Sequence, residues 1–168
     1  MEHQIDITKI IPPNNYTNRH DFCNKKIIDE LDKLQRVELE DRLLDIIKNE
    51  PESDMLVVET LSYLKSEKSV PFLTSALENA NNYAKEIIIA TSIFEINGDP
   101  GMVKIVLSSF ENLQGSHAII QLVYYLKKIN SKEANDLIKK YTLDADFLIS
   151  YNAKRALSYT WKSIKNIT

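Results

Sequence analysis

Apolar positions recur about every 32 residues along the chain. Val58, Ala90, Leu122 and Ala153 follow one another at steps of 32, 32 and 31, and Leu61, Ile93, Tyr125 and Ala156 keep nearly the same rhythm. Leu73, Ile105 and Leu137 are each 32 apart, while Ile28 and Leu31 precede Val58 and Leu61 by 30. A fixed period of this length marks stacked supersecondary units, none of which can bury its apolar face without a neighbour.

Within each period the spacing is helical. It predicts a helix near 21–34, with Asp21 as N-cap and Ile27, Ile28, Leu31 and Leu34 on one face. A second near 37–49 carries Leu39, Leu43, Leu44, Ile46 and Ile47. After a break at Pro51, a third near 54–65 buries Val57, Val58, Leu61 and Leu64. Ser69 and Pro71 open a helix that runs to about Asn79 over Val70, Leu73 and Leu77. Helices near 83–96, 100–111, 116–129, 132–141 and 146–163 follow. Their punctuation is Asn81 and Asn82, the run Asn97-Gly98-Asp99-Pro100, Gly115, Asn130-Ser131 and Asp144. The pattern is one leading helix and four pairs, with gaps short enough for antiparallel packing. Residues 21–168 read as one domain. Residues 1–20 differ: Ile5, Ile7, Ile10 and Ile11 sit among polar groups, and Pro12, Pro13, Asn14 and Asn15 block a regular element. This stretch reads as an extended arm packed over the first helices.

Hydrophobic content of 43% and charged content of 27% are those of a soluble globular protein. Cys23 is alone, so no internal disulfide forms. There is no basic start followed by a long apolar run, and no apolar stretch long enough to span a bilayer. The expectation is a cytoplasmic protein without a membrane segment. The net charge of −3 disfavours a nucleic-acid binder. The charge is unevenly spread: residues 21–59 hold twelve acidic and six basic side chains, and residues 127–168 hold nine basic and four acidic ones. If order along the chain becomes order in space, one end is acidic and suits a basic partner.

Chemistry is sparse. The only glycines are Gly98, Gly101 and Gly115, so no phosphate-binding loop exists. His3, His20 and Cys23 fall short of the roughly four ligands zinc needs. Cys23 lacks a base at a spacing that would activate it, His20 and His117 included. Glu59 and Glu95 come from adjacent repeats and could form a carboxylate pair, although such groups on helical arrays usually face solvent. No enzyme, cofactor or metal is expected.

The stretch 84–107 resembles the HEAT-like repeats of bacterial proteins that include phycobilin lyases. The resemblance lies in Ala84, Lys85, Ala90, Ser92-Ile93-Phe94-Glu95-Ile96, Gly98-Asp99-Pro100 and Val103. Asn97 is one residue extra before the turn, Pro71 stands without an Asp-Pro start, and Asn130-Ser131 replaces the turn glycine. The rhythm covers residues 25–160, and one repeat carries the clear motif. The resemblance implies an all-α, right-handed α-solenoid of about four HEAT-like hairpins plus a leading helix, with the second helices lining the concave side. On that geometry Tyr63, Glu95, Lys127 and Ser158 share a row, and Thr60, Ser92, Tyr124 and Arg155 the next, with Glu59, Thr91, Val123 and Lys154 beside them. Tyrosine and arginine are favoured anchors at interfaces. The candidate partner-binding residues are Glu59, Tyr63, Glu95, Tyr124, Lys127 and Arg155, and Trp161 is a candidate cap for the open end. The chain is also similar to small, acidic, all-helical bacterial immunity proteins. The expected function is therefore a protein-binding module, most concretely an immunity- or antitoxin-type inhibitor of a basic toxin domain. The alternatives are a HEAT-like enzyme, such as a DNA glycosylase or chromophore lyase, and a structural adaptor in an assembly.

Overall fold

Several helices in this chain start where the sequence supplies a capping side chain. The computed structural model describes residues 5–19, 22–50 and 54–158. Ten α-helices lie among them: α1 (Tyr16–Arg19), α2 (Lys25–Asp29), α3 (Lys33–Asn49), α4 (Met55–Tyr63), α5 (Val70–Glu78), α6 (Tyr83–Asn97), α7 (Pro100–Glu111), α8 (Ser116–Ile129), α9 (Lys132–Tyr141) and α10 (Phe147–Ser158). Short 3-10 turns cover Ile7–Lys9 and Glu67–Ser69, and the described residues contain no strand, so the fold is all-α. Asp54, Asn82, Asp99 and Ser131 each accept a backbone N–H at the start of α4, α6, α7 and α9. Gly98 ends α6 in the left-handed region at φ +74°, and Asn130 ends α8 there at φ +50°. Asparagine is among the few side chains that adopt this conformation readily, which is how the second turn dispenses with glycine.

The first predicted helix, 21–34, is not continuous. Asp32 accepts from the backbone N–H of Gln35, whose side chain accepts in return from Asp32 N–H. This capping box starts a new helix at Lys33. Leu34, assigned to the apolar face, is 81% exposed, and α3 instead buries Leu39, Leu43, Leu44 and Ile47. The N-terminal arm holds a 3-10 turn and α1, so it is not extended throughout. Its Ile5 and Ile10 are buried. Arg42 donates to the Ile5 carbonyl, Arg19 pairs with Asp54, and Asn24 Nδ2 donates to the Ile10 carbonyl at 3.2 Å and to Thr60 Oγ1 at 2.8 Å. Asp21 and Trp161 lie outside the described residues.

Two buried clusters meet at α6. The first gathers Ile5, Ile10, Ile28, Leu39, Leu43, Val58, Leu61 and Leu73 with Ile89 and Ile93 of α6. The second gathers Val106, Phe110, Leu122, Leu126, Ile138, Ala153 and Ala156 with Ile87 and Ala90 of α6. α6 can serve both because its middle is buried on all sides: Ile87, Ile89, Ala90, Thr91, Ser92 and Ile93 are all inaccessible. It packs against α4, α5, α7 and α8, while α10 packs against α8 and α9. α4, α6, α8 and α10 therefore touch in series. The repeating columns are buried: Val58, Ala90, Leu122 and Ala153, and Leu61, Ile93, Tyr125 and Ala156. Ile105 and Leu31 are only half-buried. Thr60, Thr91, Ser92 and Val123, expected on the exposed rows, are buried instead. All four are short side chains at positions where helix meets helix.

Replacing Leu61 or Leu122 by Asp tests this core. Each substitution forfeits about 1.5–3 kcal/mol of apolar burial and adds the several-kcal/mol cost of a desolvated charge. The sum approaches the whole stability of a domain this size. Thermal unfolding followed by circular dichroism should show no cooperative transition near the wild-type midpoint. A native-like melt for both variants contradicts the core assignment.

Candidate functional site

The most highly connected polar cluster is built from three successive helices of that series. α4 supplies Glu59 and Ser62, α6 supplies Glu95, and α8 supplies Tyr125 and Lys128. Lys128 Nζ lies 3.8 Å from Glu59 Oε1 and 3.5 Å from Glu95 Oε2. The lysine side chain is 9% exposed, against 27% and 20% for the two glutamates. Tyr125 OH donates to Glu59 Oε1 at 2.5 Å, and Lys128 Nζ also lies 4.7 Å from the centre of the Tyr125 ring. Ser62 Oγ donates to the Ser92 carbonyl at 3.3 Å and reaches Glu95 Oε2 at 3.5 Å, and Lys65 donates to the Glu95 carbonyl. Burial, then the Glu59 charge and hydrogen bond, push the Tyr125 phenol well above its usual range, so it stays a donor.

A second layer adjoins it. Lys25 Nζ stands 5.6 Å from the centre of the Tyr63 ring. Burial, and next the charge of Lys128, lower the Lys25 ammonium below its ordinary range, against the opposing pull of Cys23, Glu95 and Glu59. Tyr63 OH donates to Asp29 Oδ1 at 2.8 Å, and Arg36 pairs with Asp29 at 3.6 Å. Burial, then the bond to Asp29, raise the Tyr63 phenol. The two glutamates are thus balanced by two lysines. Their oxygens are engaged by Lys128, Tyr125 and Ser62, and each keeps a solvent-facing edge. The arrangement fixes register and presents a polar rim.

Of the six residues singled out from sequence, Glu59, Glu95 and Tyr63 fall in this cluster. The other three lie along α8 and α10. Tyr124 OH donates to Asn152 Oδ1 at 2.8 Å, Lys127 Nζ contacts Asn135 Oδ1 at 3.4 Å, and the Arg155 guanidinium lies 5.8 Å from the Tyr151 ring centre. Lys128 was missed. It stands one residue after the row of Lys127, at the register of Ile96 and Leu64, and a lysine in an otherwise apolar column is the signal that could have found it. Tyr125 was placed in the core for its ring, without a role for its hydroxyl.

Among the described residues no three His, Cys, Asp or Glu side chains gather as a metal-ion site, and no helix is long and apolar enough to cross a membrane. His3 and His20 lie outside the described residues. Compared with protein families, curated proteins and solved structures, the chain matches none.

Two substitutions test the cluster. Lys128→Met leaves two facing carboxylates without their shared cation, at a cost of about 2–4 kcal/mol at pH 7 given the partial exposure of both acids. Replacing both acids by glutamine removes the repulsion, so the deficit should shrink in a Glu59→Gln/Glu95→Gln background. Urea unfolding in both backgrounds checks this, and an equal deficit in each contradicts the bridge. Thr91, one helical turn before Glu95, buries a hydroxyl that finds no hydrogen-bond partner among the described residues. Thr91→Val keeps the shape and removes the desolvated hydroxyl, so it should raise stability by about 1 kcal/mol. A loss of that size would reveal a bond Thr91 does make.

Proposed function

We propose that the chain is a right-handed α-solenoid of HEAT-like hairpins acting as a protein-binding module, most concretely an immunity- or antitoxin-type inhibitor. The observation that carries this is the serial contact of α4, α6, α8 and α10, cross-linked by polar side chains of which Glu59, Glu95, Tyr124 and Asn152 stay partly accessible. Tyr125 reaches Glu59, Ser62 reaches Ser92, and Tyr124 reaches Asn152, so side chains from successive helices are held in fixed positions before any partner arrives. Preorganisation of this kind lowers the ordering cost of binding. Saturation of Glu59 and Glu95 by Lys128 and Tyr125 favours recognition over acid–base chemistry. The carboxylates of α2 and α3, Asp29, Asp41 and Asp45 among them, are well exposed and would steer a basic partner. A cytoplasmic site of action belongs to the same proposal, supported by the single cysteine of the sequence, Cys23, which leaves no internal disulfide.

The test is co-expression with the product of the adjacent gene. Rescue of growth from a toxic product, with a stable complex on purification, is expected. Tyr63→Ala/Tyr124→Ala should weaken that complex by about 10–100-fold, as loss of an interface anchor does. Absence of both complex and protection would refute the inhibitor reading. A second reading, the structural adaptor, is favoured by one observation: Phe147, Leu148 and Tyr151 in the first turns of α10, and Leu143 just before it, are exposed apolar side chains.

A further inference from the structure

Two helices at opposite ends of the chain carry exposed stripes that match. On α10, Phe147 is 74% exposed, Leu148 55% and Tyr151 48%. The Phe147 and Tyr151 rings stack at 6.0 Å, the Arg155 guanidinium lies over Tyr151, and Lys154 is exposed beside it. On α3, Leu34 is 81% exposed and Val37 45%, and the side chains of Asp41 and Asp45 are 61% and 74% exposed. The spacings 147, 151, 154, 155 and 34, 37, 41, 45 each keep to one side of a helix. Both stripes are apolar near the helix N-terminus and charged one to two turns later, with opposite signs. Leu34 to Asp41 and Phe147 to Lys154 are both seven residues, a rise of about 10.5 Å.

We infer that copies of this chain associate head to tail, the α10 stripe of one copy packing in parallel against the α3 stripe of the next. In that register Phe147, Leu148 and Tyr151 cover Leu34 and Val37, and Lys154 and Arg155 meet Asp41 and Asp45. The antiparallel register sets carboxylates on aromatic rings and is disfavoured. A second copy is the occupant because the complementary stripe is on the same chain, and because the acidic excess of residues 21–59 and the basic excess of residues 127–168 complement each other in the same sense. α3 and α10 do not pack against each other and both stripes are exposed, so the contact is between copies. Asp41 and Asp45 are paired within the chain to Lys68 at 3.5 Å and Lys48 at 3.7 Å, and such exposed pairs exchange partners at little cost. The stripes are small, which puts the contact in the weak, reversible class below about 1,200 Å². The two patches differ, so the contact is heterologous and leaves a free patch at each end of a dimer. This association does not rest on the inhibitor reading, and it competes with a basic partner for Asp41 and Asp45 while leaving Glu59 and Glu95 clear.

Sedimentation velocity over a concentration series tests it. Wild type should form dimers and longer species reversibly, about tenfold more weakly at about 0.5 M salt than at about 0.02 M. Phe147→Ser/Tyr151→Ser and Leu34→Ser/Val37→Ser change only exposed side chains, and circular dichroism checks that both remain folded. Each alone should be monomeric. An equimolar mixture should give a dimer and nothing larger, since each variant keeps the patch the other has lost. A wild type that stays monomeric at low salt, a blocked variant that still self-associates, or a mixture that stays monomeric would each overturn the inference.

Discussion

One ammonium group ties three helices of this protein together. Lys128 on α8 stands between Glu59 on α4 and Glu95 on α6, with Tyr125 closing the remaining side of Glu59. A nearly buried lysine is tolerable only with its counter-charges in place, and two facing carboxylates are tolerable only with a cation between them. The groups come from positions 36, 33 and 69 residues apart, so no local interaction assembles them. They are satisfied together only when α4, α6 and α8 lie in one register. The apolar columns on either side supply most of the free energy but fix that register less sharply, because leucine and isoleucine accept many packings.

α6 makes this possible. Its central residues are buried against four neighbours, and short side chains at 91 and 92 let the flanking helices approach. Thr60, which takes the bond from Asn24, plays the same part in α4 and ties the N-terminal arm to the series. The arm contributes Ile5 and Ile10 to the first core cluster.

Much of this was legible in the sequence. The 32-residue rhythm predicts most of the helices and both buried columns, because α4, α6, α8 and α10 each set the same two positions inward. Asp99-Pro100 and Gly98 marked the turn between α6 and α7 by elementary backbone preference. The break at Asp32 is hard to read because Leu31 and Leu34 continue the apolar spacing, while the Asp-x-x-Gln capping pair overrides it. The candidate site was half visible. Glu59, Tyr63 and Glu95 were named as surface residues of successive repeats. Their grouping was hidden, since the group that joins two of them, Lys128, contacts residues 33 and 69 positions earlier, and no local pattern records such separations. Thr91 and Ser92 are polar by type yet buried. Their short side chains suit helix contacts equally well.

The cluster, the proposed recognition surface and the stripes on α3 and α10 all presuppose that α4, α6 and α8 stand in this order and register. A double-mutant cycle between Glu59 and Lys128 measures that most directly, since the two residues lie on helices separated by α6. Stabilities of Glu59→Gln, Lys128→Met and the double variant should give a favourable coupling of about 1 kcal/mol or more at pH 7. Strict additivity of the two substitutions would mean that the side chains do not meet, and would contradict the arrangement of the helices that carry them.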